Sequence, residues 1–203
     1  GTLVLGLLFV TAAFTFAQAT LPLNRWLVEQ LPFLDTSAKT EKATESLMLG
    51  LLVMQSPWEM LFSLLVMAVV PAVGEELVFR GIVQHQLVRL TRRPALSIGL
   101  TALIFSLAHF QVQRLLPILL LGVALGLLFY WTKNLWIPIA AHLINNGAQV
   151  VVAYFHQDKL SELNESAAGD LPITGLLIAA VLFAWVGFML WKKSKGAPDS
   201  QAY

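Results

Sequence analysis

Cysteine is absent from the 203 residues, which removes disulfides, thiolate metal sites and a cysteine nucleophile. Charge is scarce too: Asp, Glu, Lys and Arg together make up 12% of the chain, against about a quarter in a soluble domain. So little charge cannot cover a water-facing surface of this size. Neither sign dominates, because the net charge is +1 at pH 7. No nucleic-acid partner is expected, since phosphate binding needs a clustered basic face. Internal repeats are also missing.

Apolar residues take the place of charge. They make up 57% of the chain, and mean hydropathy is +0.72. A helix needs roughly 20 apolar residues to cross about 30 Å of hydrocarbon. Six stretches approach that: Thr2–Ala19, Trp58–Leu90, Ala95–His109, Leu115–Trp131, Leu135–Phe155 and Leu171–Trp191. The first is long for a cleavable signal and no basic residues precede it, so it reads as a span. Ser46–Met54 is apolar but short, which suits an interfacial helix. The expected fold is all-α, a polytopic transmembrane helix bundle of about six spans, with residues 1–191 as one domain. Residues 192–203 are expected to form a disordered polar tail. Trp26, Trp58, Trp131, Trp136 and Trp191 stand near predicted span ends, where amphipathic rings sit at the headgroups.

Cations fix the expected orientation. Arg89, Arg92 and Arg93 fall between spans two and three, Lys133 between four and five, and Lys192, Lys193 and Lys195 after span six. Six spans put all three groups on one side, which the positive-inside rule makes cytoplasmic, with both termini. Arg114 is the one misfit. Short loops suggest a bacterial cytoplasmic membrane.

Ionisable residues inside spans are costly and read as functional by default. Span two carries Pro71-Ala-Val-Gly-Glu-Glu-Leu-Val-Phe-Arg-Gly81, span three ends in Phe105-Ser-Leu-Ala-His109, and span five holds His142-Leu-Ile-Asn-Asn146. Glu76 and Arg80 are four apart, one above the other on a helical face, and can form an ion pair. Glu75 points about 100° away and lacks that partner. His142 and Asn146 share a face, and Phe105 sits one turn before His109, where it can pack under the imidazole. Counting helical rise from the arginine loop puts Glu75 and His109 at nearly equal depth, with His142 shallower. Pro71 removes a backbone bond to Met67, and Gly74 offers room for a second backbone. Gln84, His85 and Gln86 lie toward the arginine loop and are expected to face water or headgroups.

A carboxylate and an imidazole at one depth can hold and deprotonate a water that attacks a carbonyl. A second His and an Asn can donate hydrogen bonds to the oxyanion that develops. The bland readings stand beside this: Glu76 with Arg80 as structure, the histidines as helix-linking groups, Asn146 as a bridge, and Asn145 as structure. Two His with one or two Glu also suit zinc; the sequence neither requires nor excludes it.

In order, Glu75-Glu76-x-x-x-Arg80, Phe105-x-x-x-His109 and His142-x-x-x-Asn146 resemble the three motifs of the CPBP family. That family comprises type II CAAX prenyl endopeptidases, their bacterial relatives and bacteriocin-processing or immunity proteins. The resemblance covers a core of about residues 58–154 and implies a glutamate-dependent intramembrane endopeptidase without an obligatory cofactor. Carried over, Glu75 and His109 activate the water, and His142 and Asn146 stabilise the oxyanion. Glu76, Arg80 and Phe105 support the site. The implied partners are membrane lipid and a membrane-protein or hydrophobic-peptide substrate. Oligomeric state stays open, although Gly122 and Gly126, four apart, permit close helix packing. Two other readings use the same residues: a non-catalytic membrane chaperone or immunity protein, and a proton-coupled transporter. The missing repeat weighs against the transporter.

Overall fold

The computed structural model describes residues 1–31, 38–159 and 173–195, and among these every regular element is helical. Eight helices lie among the described residues: α1 (Thr2–Gln18), α2 (Leu21–Glu29), α3 (Ala38–Leu52), α4 (Pro57–Thr91), α5 (Pro94–Ala108), α6 (Leu115–Thr132), α7 (Trp136–Phe155) and α8 (Ile173–Lys195). Two short 3-10 turns, Val112–Arg114 and Gln157–Lys159, lie at the ends of α5 and α7.

Each of the six apolar stretches contains a helix, yet they are not equal as spans. By length and composition α4, the Val112–Thr132 run containing α6, and Leu177–Lys195 qualify. The α1–α2 pair, bent by 41°, passes as one broken span. α5 is apolar but only 15 residues long. α7 is long enough at 20 residues, but His142, Asn145, Asn146 and Gln149 interrupt its apolar run. The short interfacial segment expected at Ser46–Met54 lies largely in α3. Of the expected polar tail, Lys192 to Lys195 instead complete α8, where their charge favours the helix C-terminus. Residues 196–203 lie outside the described residues.

Two apolar clusters hold the bundle. The larger joins Phe9, Val10 and Ala13 of α1 to Ala124, Leu125 and Leu128 of α6, Ala141 of α7, and Val186 and Leu190 of α8. Phe9 stacks on Phe183 at 4.8 Å and meets Trp131 edge-on at 5.5 Å. Trp131 is therefore partly a packing residue, not solely an interfacial anchor. Trp26, Trp58 and Trp136 are exposed. Lys193 Nζ donates to Thr2 Oγ1 over 2.6 Å, so α8 ends beside the start of α1. The smaller cluster sets Met54 against Val150 and Ala153 of α7.

The glycines of α6 are used inside the monomer. A Cβ on Gly122 would stand 3.2 Å from Ala102 and Phe105, and one on Gly126 would stand 2.9 Å from Gln84 Oε1 and 3.0 Å from Ile98. Their bare backbone lets α4 and α5 close onto α6. Gly74 does not serve the same end: nothing lies within 4 Å of its Cβ position. It sits on an outward face of α4, so no neighbouring helix approaches there.

Candidate active site

α4 departs from regular α-helix on both sides of the two glutamates, with π-helical stretches at Leu65–Val69 and Leu77–Gln84. Such bulges commonly accompany functional sites. Pro71 lies just after the first. Its missing N–H leaves Met67 O without the usual intrahelical partner, and Asn146 Nδ2 of α7 donates to that carbonyl over 3.3 Å. Asn145 Nδ2 in turn donates to Asn146 Oδ1 over 3.3 Å. The missing N–H of Pro71 thus frees an acceptor that α7 fills, tying the two motif helices together.

A sealed polar layer lies beneath. Arg80 Nη1 donates to Glu76 Oε1 over 2.8 Å, both side chains being fully buried. Arg80 Nη2 donates to Gly122 O over 3.0 Å, and Gln84 Nε2 to Gly126 O over 3.1 Å. Arg80 and Gln84 are one turn apart on α4, as Gly122 and Gly126 are on α6, so two polar rungs cross the helix pair. Gln84 is therefore buried rather than facing water or headgroups, whereas Gln86 is exposed. Hydropathy alone cannot detect this, because only the partner helix reveals which face of α4 is inside. The Phe105 ring lies under the Arg80 guanidinium, 4.8 Å from centroid to Cζ, a cation–π contact that helps hold a buried cation. Phe79 packs edge-on against Phe105 at 5.0 Å.

Both histidines have their tautomer fixed by partners that only accept. His109 Nδ1 lies 2.8 Å from Phe105 O, and His142 Nδ1 lies 2.9 Å from Glu76 Oε1. A carbonyl and a carboxylate both accept, so the proton sits on Nδ1 in each case. Each Nε2 is left facing Glu75 Oε2, at 3.9 Å for both His109 and His142. Glu75 Oε2 and Glu76 Oε2 have no hydrogen-bond partner among the described residues. Glu75 and His109 keep 29% and 27% of their side chains exposed, whereas His142 keeps 4%. His109 also packs on Phe105, with ring centroids 4.6 Å apart.

Glu75, His109 and His142 thus converge from three helices, with Glu76, Arg80 and Phe105 behind them. His142 comes as close to Glu75 as His109 does, although rise counting put it shallower. That counting assumes that neighbouring helices start at one level, which tertiary packing does not respect. Glu76 is shared between Arg80 and His142, a link the spacing within one helix cannot reveal.

Among the described residues, no three His, Cys, Asp or Glu side chains are arranged to hold a metal ion. Glu75 Oε2 stands 3.9 Å from each Nε2, against about 3.4 Å between neighbouring ligand atoms implied by zinc bond lengths in a tetrahedral site.

Known proteins match this part of the chain. The family model for type II CAAX prenyl endopeptidase Rce1-like proteins matches residues 57–148, from the first residue of α4 into α7. The membrane-embedded CAAX protease MroQ of Staphylococcus aureus (strain USA300) is 33% identical over 98 residues, covering 46% of this chain and 40% of its own. The uncharacterized protein YpbD of Bacillus subtilis (strain 168) is 31% identical over 108 residues, covering 50% of this chain and 52% of its own. The chain thus spans about half or less of the length of these relatives. No solved structure matches. In its ordered motifs and in the matched segment, residues 57–148 of this chain are similar to the Rce1-like type II CAAX prenyl endopeptidases.

Proposed function

We propose that the chain is an intramembrane endopeptidase that hydrolyses a peptide bond through a water activated by Glu75 and His109. The observation that carries this reading is the pair of 3.9 Å separations from Glu75 Oε2 to the two histidine Nε2 atoms. Two acceptors so spaced, Glu75 Oε2 and His109 Nε2, suit a single water that donates one hydrogen to each and keeps a lone pair for attack, with His142 Nε2 beside it. Glu75 takes a proton from the water as its oxygen bonds to the carbonyl carbon, and the carbonyl π electrons move onto oxygen. When the C–N bond breaks, Glu75 returns the proton to the leaving amine.

The oxyanion needs donors. His142 uses its Nδ1 proton on Glu76, so it donates from Nε2 as the imidazolium, whose charge Glu76 balances. Asn146 spends one amide hydrogen on Met67 O and has a second to offer. The substrate is a membrane protein or hydrophobic peptide, and the enzyme uses no metal. The lysine and arginine clusters face the cytoplasm of a bacterial cell, with the chain in its cytoplasmic membrane.

The test is cleavage of a quenched-fluorescent hydrophobic peptide library by the purified protein and by Glu75→Gln, each with and without chelator. Cleavage that is lost in the variant and survives the chelator is expected. A variant as active as its parent would overturn the role of Glu75, and loss of activity to the chelator would overturn the metal-free mechanism. Binding without cleavage by the parent would assign the site to a chaperone or immunity role.

A further inference from the structure

His109 is the C-cap residue just past the end of α5, and what holds it there comes from outside the matched segment. α5 has 15 residues, about 22 Å at 1.5 Å per residue, short of the roughly 30 Å hydrocarbon core. With Arg92 and Arg93 at the headgroups, α5 ends inside the bilayer. The turn that follows His109 is then non-helical backbone at membrane depth. Such backbone persists only where its polar groups are satisfied by protein or by a cavity. Phe110 adopts φ 53°, a left-handed conformation uncommon for a bulky residue, and the residue is 72% exposed. Arg114, at the N-cap position of α6, provides no side-chain cap.

Asn24, in the middle of α2, supplies the missing partners. Its Nδ2 donates to Val112 O over 2.9 Å, and its Oδ1 accepts from Leu116 N over 2.8 Å. The carbonyl belongs to the turn and the N–H to the first turn of α6, one of the donors that a helix leaves without an internal partner. One amide therefore caps α6 from a different helix and fastens the 3-10 turn at the same time. Its side chain is buried, while Leu23 and Trp26 beside it are exposed. A buried polar side chain with both ends engaged costs little, whereas losing the partners leaves the carbonyl and the N–H unsatisfied.

We propose that Asn24 is a positioning residue for His109: by clamping Val112 O and Leu116 N it fixes the turn that sets the His109 ring against Glu75. This deepens the peptidase reading and rests on it for its kinetic consequences. Asn24 touches neither reacting atom. It acts through Val112, three residues beyond His109, and it extends the working site to α2, outside residues 57–148.

The experiment compares the full chain with Asn24→Leu, which removes both bonds at similar volume, and Asn24→Asp, which keeps the acceptor for Leu116 N and loses the donor to Val112 O. Nitrogen-15 histidine NMR in detergent reads the ring signals, and peptide cleavage reads kcat and KM. The expected result in Asn24→Leu is shifted His109 signals with His142 unmoved, kcat down about tenfold or more as for a displaced catalytic group, and KM changed less than twofold. Asn24→Asp should fall between and decides the matter if the leucine variant does not fold. Unmoved His109 signals with unchanged kcat would overturn the proposal, as would equal shifts of His109 and His142, which mark general loosening. The NMR arm needs no substrate, so failure of the peptidase reading does not obscure failure of the clamp.

Discussion

Glu75 and Glu76 are chain neighbours on one helix, yet they belong to different regions of the molecule. Glu76 lies in the sealed layer with Arg80, Gln84 and the carbonyls of Gly122 and Gly126, where exposure is nil. Glu75 lies in the open layer with His109, where more than a quarter of each side chain stays accessible. A step of about 100° around the axis thus separates a carboxylate held by a cation from one facing two imidazole nitrogens. His142 is the hinge between the layers, because its Nδ1 binds Glu76 and its Nε2 faces Glu75. The sealed layer sets where the rings point, and the open layer is left free to meet a substrate.

Substitutions can break this contrast, and the largest effect is expected in the open layer. Glu75→Gln should lower the cleavage rate by about 10²–10⁴-fold, the range for removing a general base, with little change in thermal unfolding. A loss of stability comparable to the loss of rate would mean that Glu75 is structural. In the sealed layer the pattern should invert. Arg80→Met leaves Glu76 buried beside only His142, and such a broken pair typically costs about 3–5 kcal/mol. Detergent unfolding of Arg80→Met, Glu76→Gln and the double variant reads the coupling; a double variant no more stable than Arg80→Met would contradict it.

Smaller effects separate the helix faces. Gly126→Ala puts a methyl 2.9 Å from Gln84 Oε1 and 3.0 Å from Ile98 Cγ2, and overpacking of this sort costs about 1–3 kcal/mol. A midpoint equal to that of the parent would show that α4 and α6 are looser than described. Gly74→Ala meets nothing within 4 Å on the opposite side of the same comparison. It should raise stability by about 0.5–1 kcal/mol through helix propensity alone; a destabilised variant would imply a close partner for that face in the membrane.

Much of the architecture was legible from residue order. Long apolar runs set the helices, and the four-residue spacing of Glu76 and Arg80 set their pair, because helical periodicity is local. Phe105 under His109 was legible for the same reason. The burial of Gln84 is not legible there, because a lone glutamine near an arginine loop carries no sign of the Gly126 carbonyl opposite. Gly74 was read as a close-approach position on composition, yet its face meets no helix. Asn24 carries no local signal: nothing in Leu-Pro-Leu-Asn24-Arg-Trp points to partners in a turn and a helix start 88 and 92 residues away.

By itself the sequence determined an all-α membrane bundle, the helix that carries each motif and which residues share a helical face. Those properties follow from hydropathy, charge and the 3.6-residue turn, all of which act within a short stretch of chain. Only the tertiary structure decided the rest. It brought His142 level with Glu75, gave Glu76 a second partner, turned Asn146 toward the carbonyl that Pro71 leaves unbonded, and set Asn24 against the turn beyond His109. Each of those depends on how helices start, tilt and abut, and packing between distant segments fixes that where local periodicity cannot.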